Sequence, residues 1–119
     1  MRRAGLSAAV AAFAVALLAV PALGSADATA LTGTVGPGFT ISLTKGGKAV
    51  KTLKPGAYTI TVNDKASIHN FHLTGPGVNK KTSVPKSGKT TWNVTLKAGN
   101  YKFVCDPHAS TMKGSFKVG

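Results

Sequence analysis

Three things are scarce in this sequence. Cysteine occurs once in 119 residues, as Cys105. Glutamate is absent, and both arginines, Arg2 and Arg3, sit in the first three positions. Beyond residue 28 the only acids are Asp64 and Asp106. A lone cysteine excludes an internal disulfide, the usual brace of a small exported domain. The shortage of acids leaves 13 lysines almost unopposed beyond residue 28, a formal net charge of +11. Such a surface usually reads as nucleic-acid binding. Lysine alone lacks the planar fork that recognises phosphate in a bidentate way, and the N-terminus points out of the cell, so no nucleic-acid partner is expected. The charge suits an acidic partner protein or peripheral contact with an anionic envelope surface, or it serves solubility alone.

The N-terminal segment is uncharged after its basic head. "AGLSAAVAAFAVALLAVPALG" follows Arg2 and Arg3, and "SADATA" supplies small residues for an A-x-A cleavage site at Ala26-Asp27-Ala28. That order is a secretory signal peptide over residues 1–28. The apolar run is short for a spanning helix and ends at Pro21. The reading therefore places residues 29–119 as one exported domain, in the periplasm, in the cell envelope or outside the cell, and as a monomer.

No stretch of that domain repeats with a helical period. Short alternating runs, "FTISLT" (39–44), "AYTITV" (57–62), "TTWNVTLK" (90–97), "NYKFVC" (100–105) and "GSFKV" (114–118), are separated by "KGGK", "KPG", "TGPG", "KSGK" and "KAGN". Strands wet on one face and dry on the other, at this spacing, make an antiparallel sandwich of seven or eight strands. The alternation groups Phe39 with Ile41 and Leu43 on the core face. The tight Ala98-Gly99 connection predicts a hairpin between 90–97 and 100–105, and "KTSVP" is a short edge strand closed by Pro85. Read as a strand, "SIHNFHL" (67–73) turns His69 inward with Phe71 and Leu73, and Ile68, Asn70 and His72 outward to water.

The chemistry concentrates in "FVCDPHASTMKG" (103–114), which holds Cys105, His108 and Met112, the only methionine after the initiator. Singly, each has a bland reading: a small buried thiol, a rim histidine, core filler. Jointly, with the inward His69 arriving from an earlier strand, they form two imidazoles, a thiolate and a thioether. Sulfur excludes magnesium and calcium, and structural zinc rarely recruits methionine. Two histidines and a cysteine with a weak axial methionine are the ligands of a blue-copper site, one mononuclear copper ion.

These residues carry a family resemblance. "YKFVCDPHASTMKGSFKV" and "IHNFHL" resemble the copper-ligand segments of the cupredoxins, of the plastocyanin, pseudoazurin and amicyanin kind, over residues 57–118. The resemblance implies an all-β Greek-key sandwich with copper held at one end by His69, Cys105, His108 and Met112. It implies supporting roles for Asn70, tying the ligand loops together and bonding at the cysteine sulfur, and for Pro107, withholding an N–H near that sulfur. It makes His108 the electron exit, within an apolar patch of Pro107, Ala109 and Pro76. Val104 and lysines stand where plant plastocyanins have a tyrosine and acidic patches, so a photosynthetic partner is not implied. The function expected is a non-enzymatic shuttle of single electrons between redox partners. The alternative is an envelope carrier or store that binds Cu(I) reversibly at the same residues.

Overall fold

A computed structural model describes residues 28–119 of the chain; the leader read over residues 1–28 lies, apart from Ala28, outside the described residues. Ten strands follow one another: β1 (Thr29–Val35), β2 (Ile41–Lys45), β3 (Lys48–Ala49), β4 (Thr52–Leu53), β5 (Gly56–Asp64), β6 (His72–Gly75), β7 (Val78–Lys81), β8 (Gly88–Leu96), β9 (Gly99–Val104) and β10 (Lys113–Val118). They form two five-stranded sheets, ordered β3-β2-β1-β5-β8 and β4-β10-β9-β6-β7. The all-β sandwich is as expected. The strand number exceeds seven or eight because β3 and β4 are two-residue pieces.

The alternation of apolar residues drives the packing. Along β5, Tyr58, Ile60 and Val62 are buried, with half-exposed Thr59, Thr61 and Asn63 between and after them. Leu31, Val35, Leu43, Leu96, Tyr101, Phe103 and Phe116 close on them from both sheets. Phe71 stacks on Phe103 with ring centres 5.4 Å apart, and Tyr101 on Phe116 at 5.2 Å.

Several expectations need correction. The sheets are mixed: β1 runs parallel to β5, and β10 parallel to β4. The segments 90–97 and 100–105 do not form a hairpin, because β8 pairs with β5 while β9 pairs with β10 and β6. The Lys97-Ala98 link instead steps from one sheet to the other. Tyr101 clamps that corner, its hydroxyl accepting from the Lys97 N–H at 3.0 Å and donating to the Lys97 carbonyl at 2.8 Å. The edge strand in the long connection is β7, which ends on the first residue of "KTSVP". Residues 67–71 are a loop, with β6 starting only at His72.

The sheets bring four loops to one end of the molecule: 36–40, 65–71, 82–87 and 105–112. Local hydrogen bonds fix them. Gly36 N–H donates to Thr40, Lys65 N–H to Val35, and Thr82 N–H to Phe71. The Thr82 hydroxyl accepts the Phe71 N–H at 2.9 Å, so residue 82 braces the loop that carries His69.

Candidate metal centre

Cys105 follows the last residue of β9 and starts a tight loop. Its N–H donates to the Met112 carbonyl at 3.0 Å, closing residues 105–112 into a ring. Inside, Asp106–His108 form one 3₁₀ turn with Pro107 in its first positions, where a missing N–H does no harm. His108 N–H returns to the Cys105 carbonyl at 3.0 Å, and Met112 N–H to the His108 carbonyl at 2.8 Å. Every main-chain bond in this loop is therefore short-range, and each one helps aim the side chains at positions 105 and 108.

Three of the four side chains singled out from the sequence converge. The Cys105 Sγ lies 3.7 Å from His69 Nδ1 and 3.5 Å from His108 Nδ1, and the two Nδ1 atoms are 3.2 Å apart. Cys105 and His69 are fully buried, while His108 is half-buried and reaches the surface. The centre of a triangle with these edges is about 2.0 Å from each corner, the length of a metal–imidazole bond. Met112 is fully buried, its backbone locked to both Cys105 and His108.

The protonation pattern favours a cation. His69 Nε2 lies 3.0 Å from the Gly38 carbonyl, which can only accept, so Nε2 carries the hydrogen. In a neutral imidazole that leaves a lone pair on Nδ1, aimed at the other two donors. Gly36 permits the turn of this loop beside the His69 ring: its φ is +76°, a conformation that favours glycine.

Asn70 joins the two ligand-bearing loops. Its carbonyl oxygen accepts the Asp106 N–H at 2.8 Å, and its amide donates to the Asp106 carboxylate at 2.8 Å and to the Thr82 carbonyl at 3.2 Å. The loop tie is as the resemblance implies, but the side chain engages Asp106 and Thr82 rather than the sulfur. Because 67–71 is not a strand, Asn70 is buried instead of sharing an outer face with Ile68. His72 is on the outer face of β6 and half-exposed, as expected, but its ring is bonded on both sides. Its Nδ1 donates to Asp106 at 2.9 Å and its Nε2 lies 2.7 Å from Asn79 Oδ1. Burial pulls the Asp106 carboxyl up, but the hydrogen bonds from Asn70 and His72 and the charges of His72 and Lys81 hold it below the ordinary aspartate range. Burial pushes Asp64 up, only partly offset by the Ala66 N–H and the nearby His69.

Phe39, grouped with the core face by the alternation, is instead outside the core and beside the cluster. It precedes β2 and is 61% exposed, with its ring edge-on to His69 at 5.3 Å and to His108 at 4.9 Å. The signal was the "GPG" before it, which ends the strand period and returns residue 39 to a loop. Around His108 the exposed neighbours are Pro107, Ala109 and Phe39. Pro76 does not belong to that patch. It sits in the β6–β7 turn against Gly99, at the start of β9, while Cys105 follows the end of that strand.

Comparison with known proteins agrees with this geometry. Residues 41–119, more than half of the chain, match the model for copper binding proteins of the plastocyanin/azurin family. A search of curated protein sequences gave no match. Among solved structures, rusticyanin from Thiobacillus ferrooxidans is 27% identical over 76% of each chain, with a TM-score of 0.50. Reduced rusticyanin is 25% identical over 76% of this chain and 78% of that one, with a TM-score of 0.52. A methionine-to-glutamine variant of rusticyanin, 23% identical over 76% of each chain, superposes with a TM-score of 0.54 and shows the shared fold. The chain belongs to the plastocyanin/azurin family of copper-binding proteins.

Proposed function

We propose that residues 29–119 form an exported domain, released from the leader at 1–28, that carries single electrons between partner proteins and transforms no substrate. His69, Cys105, His108 and Met112 would hold a copper ion, which would supply a one-electron couple between Cu(I) and Cu(II). The observation that carries the reading is the triangle of donor atoms, whose centre lies about 2.0 Å from each.

The chain's own residues favour electron carriage over metal delivery. Gly38 fixes the tautomer and ring plane of His69. The closed 105–112 ring and the Asn70 tie hold Cys105 and His108 in place without help from the ion. A frame set in advance suits both oxidation states and keeps rearrangement small as the electron moves. Burial of His69 and Cys105 slows ligand exchange, which a carrier or store of Cu(I) would need. His108, half-buried among Pro107, Ala109 and Phe39, is the exit. His72, the remaining histidine, is bonded to Asp106 and Asn79 and leaves no further imidazole for a second, catalytic copper.

The test is optical and electrochemical. A Cu(II)-loaded sample should be intensely blue with reversible one-electron voltammetry, and Cys105→Ser should lose the colour while keeping the sandwich. An unchanged spectrum in that variant would remove the ligand assignment. A colourless wild-type site that trades Cu(I) readily with a chelator would favour the carrier instead.

A further inference from the structure

The end of the sandwich away from the cluster has a character of its own. The β2–β3 turn sets Lys45 directly across from Lys48. Lys51 lies beside Lys117, whose N–H bonds the Lys51 carbonyl at 3.0 Å. Lys54 shares an open depression with Lys45. All five are exposed. The sheet register places them far from the metal centre: Lys45 is at the opposite end of β2 from Ile41, which pairs with Val35 beside the site, and Val118 pairs with Leu53 at the start of β9.

No aspartate or glutamate side chain lies among these charges. The one ion pair among the described residues joins His72 to Asp106, and the other acid, Asp64, is buried; both lie toward the metal end. Like charges directly opposite on paired strands weaken the pairing, so the arrangement of Lys45 and Lys48 does nothing for the fold.

The chemistry of this end narrows what it would meet. Protein interfaces rest on a few aromatic or arginine anchors. Here there are none: the exposed large hydrophobic residues among the described ones, Phe39 and Ile68, both stand on loops at the metal end. Lysines are flexible point charges without a fixed bonding geometry. They suit anions that can rearrange beneath them, as headgroups do in a fluid layer, and each lysine near such a surface adds to the attraction. We propose that the Lys45–Lys54 end adsorbs to an anionic phospholipid surface and so holds the copper end outward. The proposal concerns a face remote from the ligands, and stands or falls separately from the electron-transfer reading.

The experiment compares two variants of equal net charge. Lys45, Lys48, Lys51 and Lys54 are changed to Gln together in one. Lys65 and Lys86, on metal-end loops, and Lys89 and Lys113, at the metal-end starts of β8 and β10, all exposed, are changed to Gln in the other. Binding is measured to vesicles of phosphatidylcholine with one part in three phosphatidylglycerol. The first variant should lose about a thousandfold in partitioning and the second less than about tenfold. Acylation of lysines in the vesicle-bound wild type, mapped by mass spectrometry, should spare Lys45, Lys48, Lys51 and Lys54 and label Lys86 and Lys89. Equal losses in the two variants, or equal labelling, would overturn the orientation. Binding to soluble polyglutamate with none to the vesicles would mean an acidic polymer or protein is the partner and the lipid proposal is wrong.

Discussion

Phe39 stands exposed beside two histidine rings, in a place where an apolar side chain gains little from burial. Its ring edge shields the imidazoles of His69 and His108 from water on the side nearest the surface. Truncation in Phe39→Ala should leave the sandwich folded, since the residue is outside the core. It should speed loss of Cu(II) to EDTA several-fold, and stopped-flow decay of the blue absorbance would measure it. An unchanged rate would mean the ring is only a neighbour. Asp106 offers a second test at this scale. Its folded-state pKa lies below the ordinary aspartate value. The stability it contributes is therefore present above that ordinary value and is lost as pH falls through the depressed one. Asp64 has the opposite sign: raised by burial, its ionised form opposes folding at neutral pH, and the penalty lifts as pH falls through its raised value. In the metal-free protein, Asp106→Asn should lower Tm at neutral pH and flatten its fall below about pH 4.

Among the elements, Gly114 shows how tightly the ligand loop is joined to the core. A Cβ there would run into the Phe103 ring, which is itself stacked on Phe71. Gly114→Ala should destabilise the domain by about 1–3 kcal/mol, the usual range for overpacking, seen as a lower urea midpoint with an unchanged slope. The strands themselves were legible in the sequence wherever a regular apolar alternation met a covered sheet face, as at Tyr58, Ile60 and Val62 or Tyr101 and Phe103. Legibility failed where non-local contacts decided the outcome. Residues 67–71 alternate like a strand, but the hydrogen bonds from Thr82 and the demand that His69 meet Cys105 pull them into a loop. The parallel pairing of β1 with β5 joins segments far apart in the chain and leaves no local mark. Nor does a two-residue link reveal whether it closes a hairpin or steps between sheets. The cluster of Cys105, His108 and Met112 was legible because its spacing is local. The Gly38 carbonyl behind His69, and the tie from His72 to Asp106, were not.

Over the whole molecule, charge is the dominant feature beyond the fold. Lysines occupy both ends of the sandwich, while one of the two acids is buried and the other is bonded. Electron exchange with an acidic partner should therefore slow as ionic strength rises, because exposed charges are screened beyond about 10 Å at 0.1 M salt. Stopped-flow rates from low salt to 0.5 M would show it, and a flat profile would mean that the lysines near the copper end take no part in encounter. The shared depression lined by Thr29 and Gly119 has a practical consequence. Any graft made through either residue leaves the molecule on the side farthest from His108. A probe wired to an electrode that way would hold its redox tip a full strand length from the metal surface and exchange current slowly. Attachment through a thiol placed at the exposed Ala109 would bring the tip close to the electrode, although contact there would block the apolar patch.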